Sequence, residues 1–306
     1  MELSIVIPVY NSGEFITNTV EQVLNVIKEN KYKAEVVLVN DGSKDNSWEV
    51  ISSIANKESE VKAINLLKNY GQHNAVLCGF EYAKGQYIIT MDDDLQNPPS
   101  EIVPLFSKAR EGGYDLVFGQ FKDKKHASYR KWGSRFVGYL NSKVFNKPKN
   151  LILTNFRIVK SDVVKRVLQH KTAYPYIPGL LLMYASNMSN VMVEHHERKD
   201  GKSNYTFRKI GSLVGRLLIN YSSYPLRMLS FIGLIVSLIS FFVAISYLVI
   251  GLFSHSTVPG WTTLVVLISF FGGFIIALLG VIGEYLSRIL EQLSSHSSYF
   301  ISEVVD

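Results

Sequence analysis

Two long apolar stretches near the end of the chain set the strongest limit on its fold. Residues 226–253 contain one charge, Arg227 at their edge, and residues 261–283 contain none. At about 1.5 Å per residue, each stretch is long enough as a helix to cross roughly 30 Å of hydrocarbon. Unbroken apolarity over this length favours membrane spans over a pair of buried core helices. We therefore predict a two-helix transmembrane hairpin.

Basic residues flank the predicted hairpin, and its connecting loop carries none. Arg208 and Arg216 precede the first stretch, Arg288 follows the second, and the loop at 254–260 lacks Lys and Arg. Because Lys and Arg are enriched on the cytoplasmic side of membrane spans, both termini are predicted to be cytoplasmic. Residues 209–225 are amphipathic, which predicts a helix lying in the membrane interface. The pattern indicates a two-span protein of the cytoplasmic (inner) membrane.

The remaining composition indicates a folded cytoplasmic domain. Of the 306 residues, 19% are charged, which argues against disorder. The single cysteine, Cys78, excludes an intramolecular disulfide, and the N-terminus lacks the basic start and cleavage site of a signal peptide. The net charge of +6 is modest and the basic residues are clustered. This favours an anionic membrane surface or a phosphorylated substrate over a nucleic acid.

Four short apolar runs alternate with helix-like segments in the first part of the chain. The runs, which are rich in β-branched residues, lie at 3–9, 35–40, 61–67 and 86–91. Repeated strand-and-helix units predict an α/β domain with a mostly parallel sheet covered by helices on both faces. Ligands of such sheets bind beyond the carboxyl ends of the strands, where the polar motifs NSG, NDGS and DDDLQ follow. We assign this domain to residues 1–208 and leave 284–306 as a cytoplasmic tail.

Three consecutive carboxylates, Asp92, Asp93 and Asp94, directly follow the fourth run. One interpretation is a solvated turn, since an Asn-Pro-Pro sequence comes soon afterwards. The other is a site for Mg²⁺ or Mn²⁺, which prefer oxygen ligands and bind one or two carboxylates together with substrate phosphates. In an extended segment Asp92, Asp94 and Gln96 point to one side and Asp93 to the other. The metal interpretation assigns the first three to the ion and leaves Asp93 for a ribose or a backbone amide.

Several motifs occur in the order and spacing of a known enzyme family. They are SIVIPVYNSGEF, VVLVNDGSKDNS, NYGQHNAVLCGF, the Asp-x-Asp within MDDDLQNPPSEI, and the closing GEYLSRI. Together they resemble the family 2 glycosyltransferases, which have the GT-A fold, a Rossmann-like α/β fold. The apolar hairpin after HHERKDGKSNYTF narrows the resemblance to enzymes that load a sugar onto undecaprenyl or dolichyl phosphate at the cytoplasmic membrane face. The resemblance covers almost the whole chain.

The resemblance implies binding roles for residues at the predicted strand exits. Those that match the family's nucleotide-sugar pocket are Pro8, Tyr10, Asn11, Glu14, Asp41, Lys68, Asn69, Gly71, Asp92 and Asp93. Within this set, Asp41 matches the carboxylate that holds the base, and the segment from Lys68 to Gly71 matches the loop near the base and ribose. The positions that match the family's metal ligands are Asp92, Asp94 and Gln96.

A second group of residues is implied in the transfer step. They are Asp94, Arg130, Ser134, Arg135, Asn155, Arg198 and Ser203. Negative charge grows on the leaving diphosphate, and arginine binds phosphate through paired hydrogen bonds. By the resemblance, Arg130, Ser134 and Arg135 lie where the lipid phosphate docks, and Arg198 and Ser203 close over the diphosphate. The alternative is that basic residues only hold the domain to anionic headgroups, and we assign that role to Lys122, Lys124, Lys125 and Lys209.

Asn155 departs from the family, in which an aspartate is common at this position. An amide cannot act as a base. The acceptor phosphate, however, has a second pKa of about 6 and already carries a nucleophilic oxygen at cytoplasmic pH. We therefore expect Asn155 to orient the sugar or the acceptor and to affect sugar preference.

Together with the resemblance, these observations predict an inverting glycosyltransferase that uses Mg²⁺ or Mn²⁺. The resemblance implies that it moves a hexose from a UDP-sugar such as UDP-glucose to undecaprenyl phosphate, and that the product supplies a cell-envelope glycan such as lipopolysaccharide. One alternative is a processive polysaccharide synthase, although the chain lacks the Gln-x-x-Arg-Trp motif of such enzymes. Another is an inactive, membrane-anchored protein that binds a nucleotide sugar. The resemblance is also compatible with a homotetramer, which nothing in the apolar stretches specifies.

Overall fold

The chain forms two compact units. The computed structural model describes residues 1–121, 138–170, 172, 174–196, 260–294 and 298–306, and scattered positions between 215 and 246. One unit comprises Met1–Tyr205 together with Ser295–Asp306, and the other comprises Thr206–Ser294. The C-terminal residues therefore belong to the same unit as the N-terminal part of the chain.

The described part of the first unit contains an eight-stranded sheet. In chain order its strands are β1 Leu3–Val9, β2 Ala34–Asn40, β3 Val61–Leu66, β4 Tyr87–Thr90, β5 Leu116–Phe121, β6 Arg157–Lys160, β7 Met188–Val193 and β8 Ile301–Val305. Their order across the sheet is β7-β5-β6-β4-β1-β2-β3-β8. The first four strands pair in parallel, whereas β6 and β8 run antiparallel to their neighbours. The prediction of a mostly parallel α/β sheet is confirmed.

Helices pack on this sheet. They are α1 Ile16–Glu29, α2 Ser47–Ala55, α3 Gln72–Tyr82, α4 Ile102–Glu111, α5 Ser161–Gln169 and α6 Ile177–Tyr184, with a 3-10 turn at Pro99–Glu101. Residues 138–145 are also helical. Every residue of β2 is buried, as are all but one of β1, which is the pattern of strands covered on both faces.

Successive residues of β1 face the two opposite layers of helices. Ile5 belongs to a large apolar cluster with Val20 of α1 and Phe106 of α4. Val6 faces the other side and meets α3 at Gly79, where an added Cβ would lie 2.2 Å from Val6 Cγ1. The glycine therefore lets α3 lie close to the sheet, with its first residues at the carboxyl ends of the strands.

Nothing in the sequence pattern predicts the last strand, β8. It pairs antiparallel with β3, from Ala63 opposite Val305 to Leu66 opposite Ile301. It forms one edge of the sheet. The chain therefore returns to the sheet after the apolar region, in residues that the sequence analysis left as a tail.

The described part of the second unit is mainly one long helix, α7 Trp261–Ser294, of 34 residues. Within it, Phe270–Ser287 has a mean hydropathy of 1.8, and among the described residues α7 is the one helix long and apolar enough to cross a membrane, judged by length and composition. The predicted second span, 261–283, lies within α7. The predicted first span, 226–253, and the interfacial helix at 209–225 fall largely outside the described residues. The two-span hairpin therefore stays a prediction.

Gly42, in the turn after β2, has no room for a side chain. Its φ is +61°, and an added Cβ would lie 2.4 Å from the carbonyl carbon of Lys68 and from the backbone nitrogen of Asn69. We expect Gly42→Ala to destabilise the domain by about 3 kcal/mol, because backbone atoms must move and the conformation is strained.

Gly113 provides a matched control. It has the same φ of +61°, but no atom lies within 4 Å of the added Cβ. Gly113→Ala should therefore cost only about 1 kcal/mol. Thermal unfolding of the full-length protein in detergent measures both variants, and equal losses of stability would contradict the expected clash.

Candidate active site

The carboxyl ends of β1, β2, β3 and β4 meet at one edge of the sheet. The parallel registers place Val9 beside Asn40, and Asn40 beside Asn65. The loops that leave these strands enclose an open cleft of about 340 Å³. Its lining residues are Pro8, Val9, Tyr10, Asp41, Asn69, Gly71, Gln72, Asp92, Asp93, Asp94 and Asn155. Polar motifs that are far apart in the sequence thus come together in one place.

Most of the residues predicted to bind the nucleotide sugar line this cleft. The predicted residues that do not line it, among those that the structure describes, are Asn11, Glu14, Lys68 and Gln96. Asn11 instead accepts a hydrogen bond from the Lys44 backbone N–H at 2.9 Å, and the Lys68 ammonium lies 5.4 Å from the centre of the Tyr70 ring. The predicted phosphate-binding residues outside the described parts of the chain are Arg130, Ser134, Arg135, Arg198 and Ser203. Their roles stay predictions.

Asp41, directly after β2, holds the start of α3. Its carboxylate accepts hydrogen bonds from the backbone N–H groups of Tyr70 at 2.7 Å and Gly71 at 2.9 Å. Gly71 has a φ of +90°, a conformation that favours glycine. Burial raises the pKa of Asp41, and the two N–H groups oppose this. The carboxylate therefore fixes the β3–α3 loop at one end of the cleft.

Asp92, two residues after β4, lies near two amide side chains. Gln72 Nε2 donates to Asp92 Oδ1 at 2.6 Å, and Asn155 Nδ2 lies 3.5 and 3.4 Å from the two oxygens. Burial, and then the charge of Asp94, raise the pKa of Asp92, while the hydrogen bonds oppose this. Gln72 is absent from the predicted site residues. Its position directly after Gly71 is the signal that could have found it.

A buried arginine lies behind Asp92. Arg157, the first residue of β6, is 2% exposed and lines a narrow cavity of about 10 Å³ together with His73 and Asp92. One of its Nη atoms donates to the Thr154 carbonyl at 3.4 Å, and its Nε has no partner among the described atoms. Burial lowers the pKa of Arg157 to about 10, so the side chain stays charged at neutral pH. This fixed charge favours the ionised form of Asp92.

The acidic motif turns instead of continuing as a strand. β4 ends at Thr90, and Leu95 has a φ of +54°. The assumption of an extended segment is therefore wrong, because a residue in the left-handed region cannot continue a pleat. Asp92 and Asp94 still line the cleft. Gln96 contributes a backbone contact, since its N–H donates to Asp94 Oδ1 at 3.2 Å.

Asp93 joins the acidic motif to the start of α1. The Ser12 hydroxyl donates to its carboxylate, and the Thr19 hydroxyl donates to its backbone carbonyl at 2.7 Å. Burial raises the pKa of Asp93 to about 6. Asp93 also borders the cleft, so a contact with the nucleotide sugar stays a prediction.

The carboxylates suit a divalent ion that is shared with a phosphate ligand. Asp92 and Asp94 both face the cleft. Among the described residues, no group of three or more His, Cys, Asp or Glu side chains could hold a metal ion. Mg²⁺ and Mn²⁺ accept one or two carboxylates and complete their coordination with water and phosphate oxygens. The donor set therefore fits an ion that is bound together with a diphosphate, and it does not fit a closed structural metal site.

Comparison with known proteins decides the family. The sequence profile described as Glycosyl transferase family 2 matches residues 4–167, more than half of the chain. The chain belongs to this family. It is therefore a glycosyltransferase, and the matched region contains every motif that lines the cleft.

Family 2 relatives align with the chain over nearly its whole length. An undecaprenyl-phosphate 4-deoxy-4-formamido-L-arabinose transferase of Proteus mirabilis (strain HI4320) is 33% identical over 307 residues, which cover 99% of this chain and 94% of the relative. The enzyme of the same name from Yersinia enterocolitica serotype O:8 / biotype 1B is 35% identical over 308 residues, with the same coverage. The similarity thus includes the apolar C-terminal region.

Solved structures share the fold over 72% of the chain. Glucosyl-3-phosphoglycerate synthase from Mycobacterium tuberculosis, in complex with Mn²⁺, UDP and phosphoglyceric acid, has a TM-score of 0.53 at 13% identity and covers 72% of this chain and 76% of that chain. Its complex with Mn²⁺, UDP-glucose and phosphoglyceric acid has a TM-score of 0.52 at 14% identity, with coverage of 72% and 78%. At this identity the likeness shows the fold alone, and it confirms the predicted GT-A fold.

His73 gives the site a specific pH dependence. Burial, and then the charge of Arg157, lower its pKa to about 4, so it is neutral at neutral pH. A histidine in the unfolded chain titrates near 6.5, so between these two values the unfolded chain binds more protons and stability falls as the pH falls. Over this whole pH range, the shift in the pKa of His73 lowers the free energy of unfolding by about 3 kcal/mol. When the pH is lowered from about 7 to about 5, we expect the melting temperature of His73→Gln to fall less than that of the wild type.

The neighbouring carboxyl groups act in the opposite direction. The pKa of Asp93 is raised to about 6, so its contribution to the free energy of unfolding is lost as the pH rises through that value. The test is therefore the difference between the melting curves of the wild type and His73→Gln, recorded without metal or nucleotide. Parallel pH dependences would contradict a buried neutral His73.

Proposed function

We propose that this protein transfers a sugar from a nucleotide diphosphate sugar to undecaprenyl phosphate at the cytoplasmic face of the membrane. The observation that carries the proposal is the convergence of Asp41, Asp92 and Asp94 in one cleft of a family 2 glycosyltransferase. The relatives named for transfer to undecaprenyl phosphate align with 99% of this chain, and this supports the same acceptor here.

The two ends of the cleft suit the two parts of the donor. The β3–α3 loop, held by Asp41, receives the base and ribose beside Asn69 and Gly71. Asp92 and Asp94, which also line the cleft, would hold Mg²⁺ or Mn²⁺. The bound metal supplies neutralisation of the charge that grows on the leaving diphosphate.

The residues behind Asp92 orient it. Gln72 and Asn155 both approach its carboxylate through an amide N–H, so each limits its rotation. Asn155 has no basic atom, and the acceptor needs none, because the phosphate oxygen is already ionised at neutral pH. This oxygen attacks C1 of the sugar as the bond from C1 to the diphosphate breaks, so an α-linked donor gives a β-linked lipid product.

The acceptor phosphate needs cations on its side of the cleft. Arg130 and Arg135, with Ser134, take this role in our proposal, and Arg198 and Ser203 close over the diphosphate. The support for these assignments is the family resemblance and the fit of a guanidinium to two phosphate oxygens.

The sheet topology supports a membrane hairpin. β7 and β8 lie in the same sheet, so the chain before and after the apolar region ends on one side of a membrane. An even number of crossings must then separate the two strands. If α7 supplies one crossing, at least one more lies upstream, where 226–253 is the predicted span. We propose that the side carrying the sheet is the cytoplasmic one, because Lys and Arg flank the apolar region and are missing from its loop at 254–260. A homotetramer stays a prediction.

The donor sugar is decided by a direct assay. Purified full-length protein, undecaprenyl phosphate and Mn²⁺ are incubated with labelled UDP-glucose, UDP-galactose, UDP-N-acetylglucosamine and UDP-4-deoxy-4-formamido-L-arabinose, with undecaprenol as the acceptor control. We expect one sugar on each lipid phosphate and none on undecaprenol, because the attacking oxygen belongs to the phosphate. We propose a UDP-hexose such as UDP-glucose as the donor and an envelope glycan as the destination of the sugar.

The same assay separates the alternatives. A processive synthase yields a polymer, and a nucleotide-sugar-binding scaffold yields no lipid-linked sugar with any donor. Either result would overturn the proposal of a single transfer to undecaprenyl phosphate.

Asp94→Asn should abolish transfer. Losing one carboxylate from a site with two weakens metal binding and leaves the diphosphate charge uncompensated, so we expect at least a roughly hundredfold loss of kcat/KM. Insertion into membranes should not change. Titration calorimetry of Mn²⁺ in the presence of UDP gives an independent measure of the weakened metal site.

Asp162→Asn is the matched control, since this exposed carboxylate pairs with Lys165 on α5. It should retain wild-type transfer and wild-type Mn²⁺ affinity. Wild-type turnover by Asp94→Asn would dismiss the metal assignment.

A further inference from the structure

The last nine residues of the chain contact one end of the loop that borders the nucleotide end of the cleft, and also the helix that follows this loop. We call residues 298–306 the C-terminal segment and residues 67–71 the β3–α3 loop. The loop contributes Asn69 and Gly71 to the cleft lining. Its far end is held by Asp41, as described above.

The C-terminal segment holds the near end of this loop. The Leu67 N–H, the first of the loop, donates to the Phe300 carbonyl at 2.9 Å. The contact continues the pairing of β3 with β8, whose register shifts between Asn65 and Leu66, directly before the loop. The path of the chain out of β3 is therefore set by a strand that lies more than two hundred residues away in the sequence.

A second contact holds the helix that follows the loop. The Tyr299 hydroxyl donates to the carboxylate of Glu81 near the end of α3. Tyr299 is buried, and burial raises the pKa of its phenol, so the hydroxyl remains a donor. The neighbouring Ser298 hydroxyl donates to the Thr172 carbonyl at 2.9 Å, which anchors the start of the segment. The segment thus contacts the elements on both sides of the β3–α3 loop.

We propose that the C-terminal segment is a positioning element for the nucleotide, which keeps the β3–α3 loop in the conformation that receives the base. This inference rests on the proposed function, because it takes the loop to be part of the donor site. Without the segment, the Leu67 N–H and the outer edge of β3 lose their partners, and the loop must be ordered when the donor binds. That ordering lowers affinity for the donor without changing the geometry of the bound state.

The expected signature is a change in KM without a change in kcat. Removal of residues 298–306 should raise the KM for the donor and the Kd for UDP by at least about tenfold, since several hydrogen bonds are lost. Tyr299→Phe removes one hydrogen bond and should raise both by about fivefold. In each case kcat and the KM for undecaprenyl phosphate should stay close to those of the wild type, because interactions made only in the transition state are untouched.

Asp306→Ala is the matched control. Asp306 pairs with Lys62, with Nζ and carboxylate oxygen 2.5 Å apart, at the end of β3 away from the loop. The variant also breaks a contact of the C-terminal segment. Because this contact lies away from the β3–α3 loop, the donor KM should stay within about twofold of the wild type. A synthetic peptide with the sequence of residues 298–306, SYFISEVVD, should restore UDP affinity to the truncated protein, and the same peptide with Phe in place of Tyr299 should restore less.

The outcomes separate this inference from the proposed function. Titration calorimetry measures UDP binding to full-length protein and variants in detergent with Mn²⁺, and thermal melting checks that each is folded. If the wild type binds UDP and the truncated protein binds it equally well, this inference alone is overturned. A loss of kcat at unchanged donor KM also overturns it, since that indicates a smaller folded fraction. If the truncated protein does not fold, Tyr299→Phe decides, and an unchanged Kd overturns the inference.

A wild-type protein that binds neither UDP nor GDP would instead contradict the proposed function, on which this inference rests. The donor assay described above shows that failure independently.

Discussion

Gly71, the last residue of the β3–α3 loop, and Gln72, the first residue of α3, connect the two carboxylate centres of the cleft. The Gly71 N–H donates to Asp41 at the exit of β2, and the Gln72 side chain donates to Asp92 after β4. A displacement of this short stretch would therefore disturb both ends of the cleft at once. The close contact of Gly79 with Val6 keeps α3 packed near the sheet. This position allows both hydrogen bonds to form.

The negative charge of Asp92 is balanced by two neutral amide donors and by the buried cation Arg157. Two further carboxylates lie beside Asp92 in the sequence. Burial, and then repulsion between like charges, raises the pKa of Asp92, and both effects also raise the pKa of Asp93. This repulsion is opposed by the hydrogen bond that Ser12 donates to Asp93 and by Arg157, which lines a cavity together with Asp92. The remaining pair, Asp92 and Asp94, is suited to a divalent ion and a diphosphate, which agrees with a family 2 glycosyltransferase.

The return of the chain to the sheet connects the apolar region with the active-site domain. β8 follows α7 after only a few residues and pairs with β3, whose loop borders the cleft. The position of β8 therefore matters both for the predicted membrane topology and for the nucleotide end of the cleft. In our proposal it requires an even number of membrane crossings, and it holds the loop that we assign to the nucleotide.

Local patterns were sufficient to predict the first four strands, whose observed ends differ from the predicted ones by at most one residue. Buried β-branched runs and the polar residues after them are local signals, so Asp41, Asp92 and Asp94 could be assigned from the sequence and its family resemblance. Arg157, Gln72 and β8 could not, because their importance comes from contacts between distant parts of the chain. The turn at Leu95 was missed for a related reason, since its positive φ depends on the surrounding loop and not on its own residue type. Periodicity depends only on residues that are neighbours in the sequence. The contacts of a buried charge, and the strand that pairs with an edge strand, depend on the tertiary structure.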